Sequence, residues 1–106
     1  MFVTSTLTVT APAVTLAAPT NITASPLSNR RAALAWVDNA TNETGYRVER
    51  ANVRSGVIGS WSLRTSLGAN ATAYTDSASK GSFAYRVVAV AGTKTAVSNV
   101  VTITFQ

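Results

Sequence analysis

Short runs of β-branched and aromatic residues recur along this chain. Each is closed within a few residues by Gly, Pro, Asn or Asp, and none carries the period of a helix. In the run from Arg31 to Val37, Ala32, Leu34 and Trp36 point one way and Arg31, Ala33 and Ala35 the other. Tyr46 and Val48 alternate with Arg47 and Glu49, and Phe83, Tyr85, Val87, Ala89 and Ala91 alternate over the longest run. A period of two marks a strand with one face against a core. Further strands are expected at 22–25 (ended by Pro26), 61–64, 72–75 and 97–105, with turn chemistry at 38–45, 56–59, 68–70, 76–81 and 92–95. Strands this short, at this spacing, fit an all-β sandwich.

At 106 residues the chain has room for one domain with a real core. Charged residues make up 12%, about half the usual share, and Thr, Ser, Ala and Val fill the difference. There is no cysteine and no histidine. Disulfides and thiol chemistry are therefore excluded, together with the usual general base and the commonest transition-metal ligand. No cofactor is expected.

Residues 1–29 carry no charged side chain. The alternation over 3–10 reads as a strand, and 11–19, with Pro12 and Pro19, as an extended linker. We therefore expect an N-terminal strand and linker over 1–18 and a compact domain over 19–106. No basic residue precedes an apolar run at Met1 to Ser5, so no signal peptide is expected. Thr, Ser, Asn or Pro interrupts every stretch long enough to cross a bilayer, so no membrane insertion is expected.

The landmarks follow a familiar order. The chain resembles bacterial fibronectin type III domains over about 19–104. The resemblance is carried by Pro19-Thr20-Asn21-Ile22-Thr23-Ala24, by Ala32-Ala33-Leu34-Ala35-Trp36, and by Asn42 to Arg50 with its Glu43-Thr44-Gly45-Tyr46 core. Tyr74-Thr75-Asp76, then Phe83-Ala84-Tyr85-Arg86-Val87-Val88-Ala89-Val90, then Ser98-Asn99-Val100-Val101-Thr102 complete it. It implies a seven-stranded immunoglobulin-like antiparallel sandwich with an additional N-terminal extended segment. Trp36 on one sheet and Tyr46 and Tyr85 on the other would fill a core about 10 Å thick. One departure stands out. The family's corner tyrosine is replaced by Phe83, which cannot donate the hydroxyl hydrogen bond, so a looser corner is expected.

Nine basic residues face four acidic ones, for a net charge of +5, but in the sequence the cations are scattered and only Arg30 and Arg31 are adjacent. Without clustering or interleaved aromatics, nucleic acid is not expected as a partner. The four carboxylates are Asp38, Glu43, Glu49 and Asp76. Glu49 is expected in a cross-strand ion pair, and Asp76 reads as a turn or cap residue. Asp38 and Glu43 share a loop with Asn39 and Asn42 that is rich in oxygen, yet its spacing fits no recognised calcium loop, and no metal site is expected. Asp38, Asn42 and Glu43 stand as candidate ligand contacts. So does Trp61, which is expected either to stack on a sugar or partner or to pack over the sheet edge with Leu63 and Leu67.

No paired acids, serine–histidine pair or phosphate loop is visible, so the chain is read as no enzyme. The resemblance implies a spacer or accessory interaction module of a larger secreted or surface bacterial protein, such as a polysaccharide-degrading enzyme. Its partners would be neighbouring domains or subunits, with polysaccharide as a further candidate. One alternative is a self-assembling filament or virion surface protein, whose N-terminal strand, through Val3, Leu7 and Val9, docks on a neighbour. Another is a carbohydrate-binding module using Trp61. Location is expected to be extracellular or at a cell surface, or on a virion in the first alternative.

Overall fold

The computed structural model describes residues 16–106, and the expected strand at 3–10, with Val3, Leu7 and Val9, lies outside the described residues. Among the described residues nine strands form: β1 Thr20–Leu27, β2 Arg31–Val37, β3 Gly45–Arg54, β4 Val57–Ile58, β5 Ser62–Gly68, β6 Ala73–Ser77, β7 Gly81–Ala91, β8 Lys94–Val97 and β9 Val101–Phe105. β1, β2 and β6 make one antiparallel sheet in that order. In the other, β3 and β7 are central, with β4 and β5 along the far side of β3 and β8 and β9 along the far side of β7. The sandwich is therefore all-β and antiparallel as expected, with nine strands rather than seven.

The two extra strands have local causes. Ser55 and Gly56 both take positive φ, 52° and 77°, which closes a tight hairpin and lays Val57 and Ile58 back along Arg54 and Val53 as β4. The expected last strand over 97–105 is broken at Ser98. Its backbone N–H still reaches Val87 O at 2.8 Å, but its Oγ takes the acceptor's place for the Val87 N–H at 2.9 Å. A side chain inside the ladder ends β8 and lets the chain restart as β9. Pro26 does not end β1, which runs on to Leu27. β1 is a sheet edge, where the N–H that proline lacks has no ladder partner to supply.

The core follows the alternation. Ala32, Leu34 and Trp36 of β2 face Tyr46 and Val48 of β3 and Phe83, Tyr85, Val87 and Ala89 of β7, with Ile103 and Phe105 closing one side. Trp36 meets Tyr46 with ring centroids 6.1 Å apart and planes tilted by 55°, and Phe83 meets Phe105 at 6.4 Å and 53°. Tilted pairs at these distances avoid the repulsion of stacked ring faces. Core contacts reach back past the expected start at Pro19 to Leu16.

Asp76 corrects the sequence reading most. It is no turn or cap residue but lies within β6, 1% exposed, at the meeting of both sheets. Its Oδ2 accepts the Tyr85 hydroxyl at 2.7 Å and Arg50 Nη1 at 3.0 Å, and its Oδ1 accepts Arg64 Nε at 3.0 Å. The register of β5 against β3 slips between Val48 and Glu49, which makes Arg64 the extra residue of β5; its side chain reaches the carboxylate. Arg50 also lies over the Phe83 ring, 4.7 Å from its centroid. The hydroxyl missing at Phe83 is thus replaced two residues on by that of Tyr85. The corner is tied rather than loose, and the Ala78 N–H bond to Arg30 O at 2.8 Å ties it to the turn before β2 as well.

Burial, and then the bond to Asp76, push the Tyr85 phenol up from 10.0 to about 12, with Arg50 opposing. A tyrosine whose folded pKa is raised contributes stability that is whole below its unfolded pKa and is lost as pH climbs through the folded one. The denaturant midpoint should therefore hold steady up to a pH near 10 and fall between there and about 12. Tyr85→Phe should make that fall shallower and cost about 2 kcal/mol at neutral pH, read as a drop in thermal midpoint. Asp76→Ala should cost about 3–5 kcal/mol, because it leaves two guanidinium groups without their counter-charge.

Candidate functional site

The 38–45 loop follows β2 and is fastened from within. Asp38 Oδ1 accepts the Ala40 N–H at 3.1 Å, the short loop an Asp side chain makes with its own backbone, and also accepts the Tyr46 hydroxyl. Glu43, only 8% exposed, accepts the Asn70 N–H at 3.0 Å and so joins this loop to the one that precedes β6. Burial first, then the hydrogen bond and charge of Asp38, with Glu43 adding to both, hold the Tyr46 phenol well above the usual tyrosine range. Asn39 Nδ2 donates to Ala18 O at 3.0 Å and Thr20 Oγ1 at 2.9 Å, tying the loop to the incoming chain. Of the three candidate contacts here, the structure brings Asp38 and Glu43 together around Tyr46 and leaves Asn42 exposed. Among the described residues no group of three or more acidic, His or Cys side chains stands together.

Trp61 sits elsewhere. It precedes β5 instead of lying in it, and the two leucines expected beside it face opposite ways. Leu67 pairs with Tyr46 and packs against the core, whereas Leu63 pairs with Glu49 on the outer face and is 56% exposed. Trp61 lies over Arg86 of β7, whose guanidinium carbon stands 4.3 Å from the ring centroid. Arg86 is held in turn by Glu49, its direct cross-strand neighbour, through Nε at 2.7 Å from Oε1. The expected ion pair of Glu49 is present, with Arg86 as its partner. Carboxylate, guanidinium and indole thus form a row across the outer face of the larger sheet, with Ile58 and Leu63 exposed on that face. Sequence reasoning missed Arg86. The signal was there, as the one charged residue in an otherwise apolar strand.

With this row the four carboxylates are accounted for: Asp76 by two arginines and a tyrosine, Glu49 by Arg86, Asp38 by Tyr46, and Glu43 by a backbone N–H.

Solved structures share this architecture. An Fn3-like protein from Clostridium thermocellum matches with a TM-score of 0.67 and 26% identity over 86% of this chain and 94% of its own. The FN3 domain of human collagen XX matches with a TM-score of 0.69 and 20% identity over 92% of this chain and 100% of that one. The pectate lyase Pel3 from Pectobacterium carotovorum matches with a TM-score of 0.66 and 18% identity over 85% of this chain, but only 27% of the lyase is covered. No protein-family model and no curated protein sequence matches the chain.

Burial separates the two tryptophans. Trp36→Ala should cost about 3–5 kcal/mol as a cavity in the core, whereas Trp61→Ala should cost about 1 kcal/mol, the loss of a partly exposed cation–π contact. Chemical denaturation of the two variants checks this.

Proposed function

The chain has the fibronectin type III fold, and from that premise we propose that it is a non-catalytic module serving as spacer or accessory interaction domain of a larger secreted or surface bacterial protein. One observation carries the non-catalytic half: in a chain without histidine or cysteine, each of the four carboxylates is committed to holding the sandwich together. Carboxylate, imidazole and thiol are thereby removed as general acid, base or nucleophile. The modular half rests on size. The fold covers nearly the whole of one bacterial Fn3-like protein and about a quarter of a bacterial pectate lyase, where it is one part of a larger chain. A polysaccharide-degrading enzyme is accordingly our preferred host.

For such a module the interaction surface is the outer face carrying Trp61, Arg86 and Leu63. A half-buried indole beside exposed aliphatic side chains is the composition of a contact patch rather than of a solvated sheet.

Size-exclusion chromatography with light scattering checks this reading against self-assembly. The full chain should elute as an 11.0 kDa monomer at all concentrations, as should the chain lacking residues 1–15. Oligomers that disappear on removing residues 1–15 would overturn the module in favour of a self-assembling subunit. Release of reducing ends from a panel of polysaccharides would overturn the non-catalytic half.

A further inference from the structure

The cations that look scattered in the sequence are sorted by the fold. The turn between β1 and β2 holds Arg30, β2 begins at Arg31, β3 ends at Arg54, and Lys80 precedes β7. The pairings Arg31 with Ser77, Val53 with Ser82 and Gly81 with Phe105 bring these segments to one pole of the sandwich. Arg30 Nε donates to Gln106 O at 3.0 Å at the same pole. The carboxylates of Asp38 and Glu43 lie at the opposite pole, beside Gly45 and its partners Gly68 and Val90. Asp76 is the basic pole's own carboxylate, and it is buried and already bracketed by Arg50 and Arg64.

Arg54 and Lys80 form no ion pair among the described residues, and both line one open groove of about 280 Å³. No carboxylate lines it; Asn52, Ser79 and Ser82 do. A second groove shares Asn52 and Arg54 with the first and continues past Ser60 and Ser62. Two cations along a track of hydroxyls and an amide suit an extended ligand that carries both negative charge and many hydroxyl groups.

We propose that this pole binds an acidic polysaccharide, with Arg54 and Lys80 pairing its carboxylates and the serine and asparagine side chains meeting its hydroxyls. The proposal deepens the interaction-module reading and rests on it, and it adds a second surface distinct from the Trp61 face. Nucleic acid fits less well, because single strands need exposed aromatic platforms. The aromatic ring at this groove, Phe83, is 6% exposed, with Arg50 over its ring and Phe105 tilted against it.

The test is isothermal titration of the full chain with polygalacturonate, neutral dextran and a single-stranded oligothymidylate, at low and at physiological salt. Polygalacturonate should bind, more weakly as salt rises, and dextran should not. Arg54→Gln and Lys80→Gln should each weaken binding roughly three- to tenfold. Lys94→Gln, which removes the same charge from the opposite pole, should change it less than about twofold. Equal losses in all three variants would reduce the effect to net charge and overturn the site. Tighter binding of the oligonucleotide than of polygalacturonate would overturn the ligand class. A folded monomer that binds no polyanion would overturn the proposal while leaving the module reading intact.

Discussion

Asp76 is held by residues from three strands of the opposite sheet: Arg50 of β3, Arg64 of β5 and Tyr85 of β7. A buried carboxylate of this kind contributes little net stability, since desolvation offsets much of the Coulomb attraction. What it does is forbid alternatives. If β6 slid by one residue, its carboxylate would move away from the hub and leave two guanidinium groups and a phenol facing a core with no acceptor. A sandwich without disulfides has few other ways to fix how its two layers sit on each other. Much of the molecule's register follows from this one acid, including the slip in β5 that turns Arg64 inward.

The sequence made some of this legible and hid the rest for physical reasons. Alternation is a local signal, so the bounds of β2 and the inward rows of β3 and β7 could be read without any knowledge of neighbours. The aromatic core was legible for the same reason. The role of Asp76 was not, because its partners lie 9, 12 and 26 residues away and polar character in a Thr-Asp-Ser stretch looks the same in a turn as in a buried strand. Ser98 was hidden likewise. A hydroxyl replacing a carbonyl in a ladder leaves no trace in a hydrophobic pattern. Of the candidate contacts, Trp61 lies on the outer face over Arg86. The internal bonds of Asp38 and Glu43 were hidden, because an oxygen-rich loop reads alike whether its carboxylates face water or clasp a tyrosine.

Charge shows the same limit. Antiparallel strands carry the chain repeatedly from one pole to the other, so residues spaced some 25 apart return to the same end. Arg30, Arg54 and Lys80 follow that rhythm. Even spacing along the chain is what gathers them in space. Acids are scarce and each is engaged within the fold, so the basic surplus is left to face outward.

The incoming chain enters at the Asp38 pole, where Asn39 grips Ala18 and Thr20, and it leaves at the Arg30 pole beside Gln106. A pull between the two ends therefore acts along the length of β1 and β9 rather than across them. β1 is bonded to β2 and β9 to β7, both antiparallel, so the load falls on whole ladders in shear. Many hydrogen bonds must then give way at once, not one after another as in a zipper. Pulled this way the sandwich would yield as a stiff link, and the Ile22 N–H of β1 donates to Asn99 Oδ1 at 3.4 Å in the segment that leads into β9.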